Sequence, residues 1–65
     1  MANKNEEKTL VKIFSNRKNK WWKSDFNGYT ENEDEAGVYE KEKIDRIYGD
    51  INFDKNRPDY MVLVV

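Results

Sequence analysis

Apolar residues in the first third of the chain recur with the period of two that is typical of a β-strand. In residues 8–15, Val11 and Ile13 fall on one face, and β-branched and aromatic residues are enriched. The polar run 16–19 then supplies turn chemistry, because asparagine tolerates left-handed backbone geometry. Residues 20–24 resume the strand pattern, so the sequence predicts an antiparallel hairpin.

A short helix is predicted to follow the hairpin, over residues 31–36. Thr30 and Glu33 match the capping box, in which a hydroxyl and a carboxylate satisfy the unpaired amides of a helix start. Gly28 supplies the bend before this helix. Gly37 is expected to end it in the left-handed conformation that glycine adopts at little steric cost.

The second predicted helix, over residues 40–48, has the clearest pattern in the chain. Apolar residues recur there at the spacing of an amphipathic helix, and Gly49 is a natural stop. The residues that set this spacing are Ile44, Ile47, Tyr48 and Ile51. A polar loop over residues 50–59 then leads to residues 60–65, a continuous apolar run that predicts a final strand.

Together these elements predict an α+β fold with a small three-stranded antiparallel sheet. The β-hairpin and the C-terminal strand form this sheet in strand order 2-1-3, and the two short helices are expected to pack on one of its faces. Residues 1–7 are polar and are expected to form a disordered tail, and residues 8–65 one small domain. Because strand side chains alternate, only one of Trp21 and Trp22 can face the core. The other expected core residues are Val11 or Leu10, Tyr29, Ile44, Ile47, Tyr48 and the inward half of residues 61–65.

Composition narrows the class of protein. The chain has 65 residues, no cysteine and no histidine, so disulfides are excluded and the usual zinc ligands are missing. Its net charge of −1 conceals an uneven distribution of charge. Residues 1–24 hold seven basic and two acidic side chains, whereas residues 25–54 hold three basic and ten acidic side chains. We expect a cytoplasmic protein, since the chain has no signal-peptide core and no apolar run of the roughly 20 residues that span a membrane.

Patterns for catalysis and metal binding are weak. Residues 50–54 read D-x-N-x-D, the start of a calcium-binding loop, but Lys55 stands where that loop requires glycine and no glutamate closes it. The two serines, Ser15 and Ser24, have no adjacent base. The sequence therefore predicts a protein that is not an enzyme and that carries no cofactor or metal.

One cluster in the hairpin is typical of single-stranded nucleic-acid binding, in which aromatic faces stack on bases and cations hold phosphates. Its members are Arg17, Lys18, Lys20, Trp21, Trp22 and Lys23. Against this interpretation, one tryptophan belongs to the core, and lysines are common on exposed strands. A nucleic-acid-binding module is therefore the second of two hypotheses.

Residues 21–42 read W-W-K-x-x-x-x-G-Y-T-x-x-x-x-x-A-G-V-Y-x-x-E. This pattern resembles small proteins of phages, prophages and their bacterial hosts, which typically have W-W-R-P-N-x-x-G-Y-T, then A-G-x-Y-T, then a glutamate-rich helix. The chain departs from it at residues 23–25, where the relatives often have R-P-N, and at Glu40, where they have threonine. The resemblance implies a phage-like origin and a small α+β domain, and it brings no activity or site residue.

The final strand supplies the second candidate surface. It is apolar on both faces, yet the predicted topology leaves it at the edge of the sheet, where unpaired backbone groups invite another strand. Tyr60, Val62 and Val64 form this candidate edge-strand interface. With the resemblance, it predicts a non-enzymatic phage or mobile-element accessory protein in the host cytoplasm. Its partner is expected to be a host or defence protein, or a second copy in a homodimer.

Overall fold

Strand β1, Leu10–Ser15, is the strand on which the rest of the fold is assembled. The structure is a computed structural model and describes residues 8–64, so the predicted N-terminal tail, residues 1–7, lies outside the described residues. In chain order the elements that follow are β2 (Lys20–Trp22), β3 (Tyr29–Thr30), β4 (Tyr39–Glu40), α1 (Lys41–Tyr48) and β5 (Asp59–Leu63), with 3-10 turns at Ser24–Phe26 and Glu33–Glu35.

β1 pairs with three strands, all of them antiparallel. On one side β5 runs along nearly its whole length, with Val11 opposite Leu63 and Ser15 opposite Asp59. On the other side β2 pairs with the second half of β1 and β4 with the first half, while β3 lies outside β2. The α+β class, the hairpin and the pairing of the final strand with the first are therefore confirmed.

The predicted number of strands is wrong, because the sheet of the described residues has five strands and not three. The two additional strands, β3 and β4, have two residues each. A segment of two residues is too short to produce a periodic pattern, so neither was detectable from hydrophobic spacing.

The alternation of side chains along β1 gives the sheet two distinct faces. Val11, Ile13 and Ser15 are buried on one of them, which we call the core face. The buried hydrophobic cluster consists of Val11, Ile13, Tyr39, Ile44, Ile51 and Met61, with Trp22 packed against it. Leu10, Lys12 and Phe14 point to the opposite face, which we call the open face.

Helix α1 closely matches the prediction, with Glu40 at its N-cap and Gly49 at its C-cap. Ile44 is fully buried in the core, but Ile47 and Tyr48, which were also predicted to be core residues, are 51% and 40% exposed. The helix has eight residues, little more than two turns. Only Ile44 faces the centre of the sheet, and the other two lie at the flanks of the apolar stripe.

The helix predicted over residues 31–36 is a single 3-10 turn, Glu33–Glu35, and it does not lie on the same face as α1. Lys12, an open-face residue, donates from Nζ to the Glu33 carbonyl at 3.3 Å. The turn therefore packs beside the open face, and the prediction of two helices on one face is wrong. Tyr29, predicted to be a core residue, is 44% exposed.

The predicted capping box is also wrong. Thr30 lies in β3, where its hydroxyl accepts a hydrogen bond from the Asn32 amide and donates one to the Glu35 carboxylate, both at 3.1 Å. Glu33 takes no part in these bonds. The threonine closes a turn with the residues just after it, which is a common alternative to helix capping for this side chain.

Gly37 is needed for a close approach of two backbone segments and not for a left-handed helix cap. Its amide donates to the Trp22 carbonyl at 2.9 Å. A Cβ atom on Gly37 would lie 2.4 Å from both the N and Cα atoms of Ser24. The preceding residue, Ala36, is extended, because the chain leaves the 3-10 turn toward a strand.

We expect Gly37→Ala to lower the free energy of unfolding by about 1–3 kcal/mol, because the added methyl group meets backbone that must move. Val38→Ala is the matched control, since Val38 is adjacent and 49% exposed, and it should cost no more than about 0.5 kcal/mol. Urea denaturation followed by circular dichroism measures both. Equal stability of the two variants would contradict the close approach.

Candidate functional site

The two tryptophans lie on opposite faces of the sheet. Trp22 is on the core face, where its ring is close to perpendicular to those of Tyr39 and Tyr48, with centroid distances of 6.2 and 5.5 Å. Trp21 is on the open face and packs edge-to-face on Phe14 at 5.0 Å. The candidate binding surface predicted from the hairpin is thus divided between two sides of the molecule.

The cations of that predicted surface are divided as well. Arg17 pairs with Asp59 at 3.0 Å, and Lys18 places its Nζ 5.7 Å from the centre of the Tyr29 ring. Lys20 is half-buried on the same face as Trp22, because it precedes it by two positions in β2. Lys23 is exposed just beyond the end of β2.

The open face carries a continuous row of aromatic rings across three strands. Phe14 of β1 lies at its centre, with Trp21 of β2 at 5.0 Å and Tyr60 of β5 at 5.8 Å. All three side chains are half-buried. The apolar members of the open face are Leu10, Phe14, Trp21, Tyr60, Val62 and Val64. The predicted interface residues of the final strand therefore share one surface with Trp21.

Lys12 is the one cation that β1 places on the open face, and its charge is balanced within the chain. Its Nζ lies 3.8 Å from a carboxylate oxygen of Glu33 and also donates to the carbonyl of that residue. The Glu33–Glu35 turn that provides these groups covers the margin of the face near Thr30, which is buried. The centre of the open face is consequently apolar and close to neutral.

The backbone of the predicted edge-strand residues faces β1. The Val64 amide donates to the Leu10 carbonyl, and the Asn16 amide to the Pro58 carbonyl. Since hydrogen-bonded pairs alternate along an antiparallel ladder, the residues between them that also bond toward β1 are Tyr60 and Val62. The backbone groups of these residues are therefore used within the sheet, and their side chains lie on the open face.

The outer edge of β5 is partly covered by the preceding loop. Asn52 forms a parallel bridge with Tyr60, and its carbonyl accepts a hydrogen bond from the Met61 amide at 2.7 Å. Within residues 8–64, no segment pairs with this edge beyond Met61, where Leu63 is 55% exposed. Strand addition would have only this short stretch, whereas the open face spans three strands.

A second surface, which we call the aromatic cleft, opens on the core-face side of the sheet. It has a volume of about 150 Å³ and is lined by Trp22, Phe26, Gly28, Tyr29 and Tyr48. Phe26, Tyr29 and Tyr48 are 40–44% exposed. Hydrophobic spacing did not reveal this cleft, because its walls come from β2, a turn, β3 and the end of α1.

One wall of the cleft is held in an unfavourable backbone conformation. Asp25 and Phe26 both have φ of 58°, in the left-handed region that a bulky aromatic residue rarely adopts. The hydroxyl of Tyr39 accepts a hydrogen bond from the Phe26 amide at 3.1 Å and donates one to the Lys23 carbonyl. Tyr39 thereby fixes the turn that places Phe26. Strain of this kind is often found at binding sites.

The pKa of Tyr39 reflects this position. Burial of the phenol raises its pKa above the usual 10.0, the hydrogen bond from the Phe26 amide opposes the shift, and the nearby Asp25 carboxylate adds to it. A raised pKa means that the folded protein holds the phenolic proton more tightly than the unfolded chain does.

The loop that resembles a calcium site uses its oxygens internally. The Asn52 side chain accepts a hydrogen bond from the Asp54 amide, and the Asp54 side chain accepts one from the Asn56 amide, both at 2.9 Å. Asp50 pairs with Arg57 at 3.8 Å. In the described part of the chain, no group of three or more acidic side chains is arranged to hold a metal ion.

No helix within residues 8–64 combines the length and the apolar character that a membrane span requires. The chain matches no protein-family model, no curated protein and no solved structure. The open face and the aromatic cleft are therefore the observations from which a function is inferred.

Tyr39→Phe tests the phenol's role. Losing its two hydrogen bonds should lower the free energy of unfolding by about 1–3 kcal/mol at neutral pH. The wild type keeps this stabilisation below about pH 10 and loses it progressively above, because the unfolded chain ionises first. The phenylalanine variant should show a smaller alkaline loss, measured by urea denaturation from neutral to alkaline pH. If the free energy of unfolding fell equally with alkaline pH in the wild type and in Tyr39→Phe, the stabilising role assigned to the Tyr39 phenol would be contradicted.

Proposed function

We propose that this chain is a non-enzymatic accessory protein of phage or mobile-element type that binds another protein through the open face. A host or defence component in the host cytoplasm is the proposed partner. The observation that carries the proposal is the aromatic row Trp21–Phe14–Tyr60, which continues into Val62 and Val64 on a face that no helix of residues 8–64 covers.

The composition of the open face supports a binding role. An antiparallel sheet with one face in water normally alternates apolar residues inside and polar residues outside. Here β5 places Tyr60 and Val62 on the side opposite to the buried Met61, so both of its sides are apolar. Contiguous apolar surface on a small protein is typical of an interaction site.

The charges on the open face favour a protein over nucleic acid. Phosphate recognition requires lysine or arginine beside the stacking rings, and Lys12 is already balanced by Glu33. Trp21 has Phe14 packed edge-to-face on it. Arg17 and Lys18 lie at the hairpin turn, against Asp59 and the Tyr29 ring, and Lys20 lies on the core face with Trp22.

The phage-type origin rests on the resemblance, which extends from Trp21 to about Ile47. Several positions of that pattern have structural roles in this chain: Gly37 permits a close backbone approach, and Tyr39 fixes the Phe26 turn. The pattern therefore bears on how the domain folds and on its origin. The pattern does not identify the partner.

A pull-down from bacterial host lysate tests the proposal with a pair of matched variants. Val62→Lys adds a charge to the open face, and Phe53→Lys adds the same charge at a loop residue that is 43% exposed. A protein that is captured by the wild type and by Phe53→Lys should be recovered about tenfold less with Val62→Lys, because an unpaired charge in an interface is costly. Circular dichroism confirms that each variant is folded.

Sedimentation of the same three proteins separates a host partner from a homodimer. A dimer that is lost only in Val62→Lys would place a second copy on the open face. Equal recovery of the captured protein with both lysine variants would contradict the proposal. So would the absence of any specific protein together with tight binding of an oligonucleotide, which would support the nucleic-acid hypothesis instead.

A further inference from the structure

We infer that the aromatic cleft is a second binding site, which accepts a quaternary ammonium group of the kind that choline carries. The cleft lies on the opposite side of the sheet from the open face, so this inference is independent of the proposed function. It rests on the aromatic lining of the cleft, the angles between its rings and the groups that border it.

Every side chain that lines the cleft within residues 8–64 is aromatic. The walls are the rings of Trp22, Phe26, Tyr29 and Tyr48, and Gly28 contributes backbone. Trp22 and Tyr29 are directly paired between β2 and β3, which places their rings side by side on one face of the sheet. The face of an aromatic ring carries partial negative charge, which an aliphatic wall lacks. The lining therefore favours a cation over a neutral apolar group.

The rings stand at large angles to one another. The Trp22 ring is inclined by 82° to that of Tyr48 and by 65° to that of Phe26, with centroids 5.5 and 6.0 Å apart. The rings of Phe26 and Tyr48 are inclined by 55° at 6.2 Å. Where two rings meet at such an angle, the corner between them is bounded by one face of each. A cation in this corner lies within the roughly 6 Å of several ring centroids over which the attraction acts.

The size and order of the cleft suit a small organic cation. A cavity of about 150 Å³ holds one benzene-sized group, and the cleft has about this volume. A trimethylammonium group is of similar size. Tyr39 holds the strained turn that presents Phe26. A site that is already ordered loses little conformational entropy when a ligand enters.

One ring of the cleft already contacts an ammonium group of the chain. Lys18 places its Nζ 5.7 Å from the centre of the Tyr29 ring. The two residues line a separate depression with Ser15 and Arg17. Within residues 8–64, no lysine or arginine lines the cleft itself. The Tyr29 ring is therefore accessible to an ammonium group, and the cleft is left for a cation from outside the chain.

The ionised groups around the cleft are mixed in sign, so the rings and not the net charge select the ligand. Arg17 is balanced by Asp59 at 3.0 Å, and the cations Lys18 and Lys20 lie on this side of the molecule without lining the cleft. The two depressions that share walls with the cleft contain the carboxylates of Asp25, Glu40, Asp50 and Asp59 and the cations of Arg17 and Lys43. These carboxylates oppose an anionic ligand and are compatible with a cation.

A quaternary ammonium fits the lining better than the primary ammonium of a lysine does. A primary ammonium has three N–H donors that need acceptors when it leaves water. In the part of the chain that the structure describes, the side-chain oxygens lining the cleft are the hydroxyls of Tyr29 and Tyr48. A trimethylammonium group has no N–H donor and spreads its charge over its methyl groups. It therefore enters an aromatic site at a lower desolvation cost.

The test is a titration of ¹⁵N-labelled protein with choline at constant ionic strength, followed through the two indole N–H signals. We expect a saturable shift of the Trp22 signal with the Trp21 signal unmoved, because the two rings lie on opposite faces. Neohexyl alcohol has the shape of choline with carbon in place of the charged nitrogen, and it should bind at least about fivefold more weakly. Ethanolamine, whose ammonium is primary, should also bind at least about fivefold more weakly.

A pair of matched variants completes the experiment. Tyr48→Leu removes one ring but keeps an apolar wall, so it should weaken choline binding about fivefold and change the binding of neohexyl alcohol less than about twofold. Phe53→Leu, at an aromatic residue that is exposed and does not line the cleft, should leave both affinities within about twofold. Circular dichroism confirms that each variant is folded, and the comparison of ligands on the wild type does not depend on either variant.

Equal affinity of the wild type for choline and neohexyl alcohol would overturn the inference, because shape alone would then explain binding. So would an unmoved Trp22 signal, a shift that does not saturate, tighter binding of ethanolamine than of choline, or equal effects of the two variants. A shift of Trp21 alone would overturn it as well. None of these outcomes bears on the proposed function, which is tested separately through Val62→Lys on the open face.

Discussion

The pairing of β1 with three strands is the constraint on which the rest of this small structure depends. β1 contacts β5 along one side and both β2 and β4 along the other, so every sheet strand except β3 is hydrogen-bonded to it directly. Its alternation buries Val11 and Ile13 against α1 and Met61 and turns Phe14 outward. The same alternation is passed to β2, where it sends Trp22 into the core and Trp21 to the open face.

Two chemically different surfaces result from this division. The open face is a flat aromatic and aliphatic area whose lysine is balanced within the chain. The aromatic cleft is a concave site whose walls include the rings of Trp22, Phe26, Tyr29 and Tyr48. A flat apolar area suits the side of a folded protein. Because the two surfaces lie on opposite sides of the sheet, one can be occupied without obstructing the other.

The sequence predicted the features that depend on long periodic segments. The hairpin, α1 and the pairing of the final strand with β1 follow from hydrophobic spacing. The failures concern short or non-local features: β3 and β4 have two residues each, and Gly37 is explained only by Ser24, thirteen positions away. The cleft could not be predicted, because the backbone at Phe26 is set by Tyr39 from a distant strand. The double-sided apolar character of residues 60–64 is the sequence feature on which the proposed binding role of the open face rests.

The most direct test of the central claim, that the alternation along the sheet places one tryptophan against the core and the other on the open face, is urea denaturation of Trp21→Phe and Trp22→Phe. Trp22 is packed against the core by three aromatic neighbours, so its replacement should lower the free energy of unfolding by about 2 kcal/mol or more. Replacement of Trp21 should cost less than about 1 kcal/mol, because that ring lies on the open face, outside the buried core cluster. Equal losses, or a larger loss for Trp21→Phe, would contradict the assignment of the two faces.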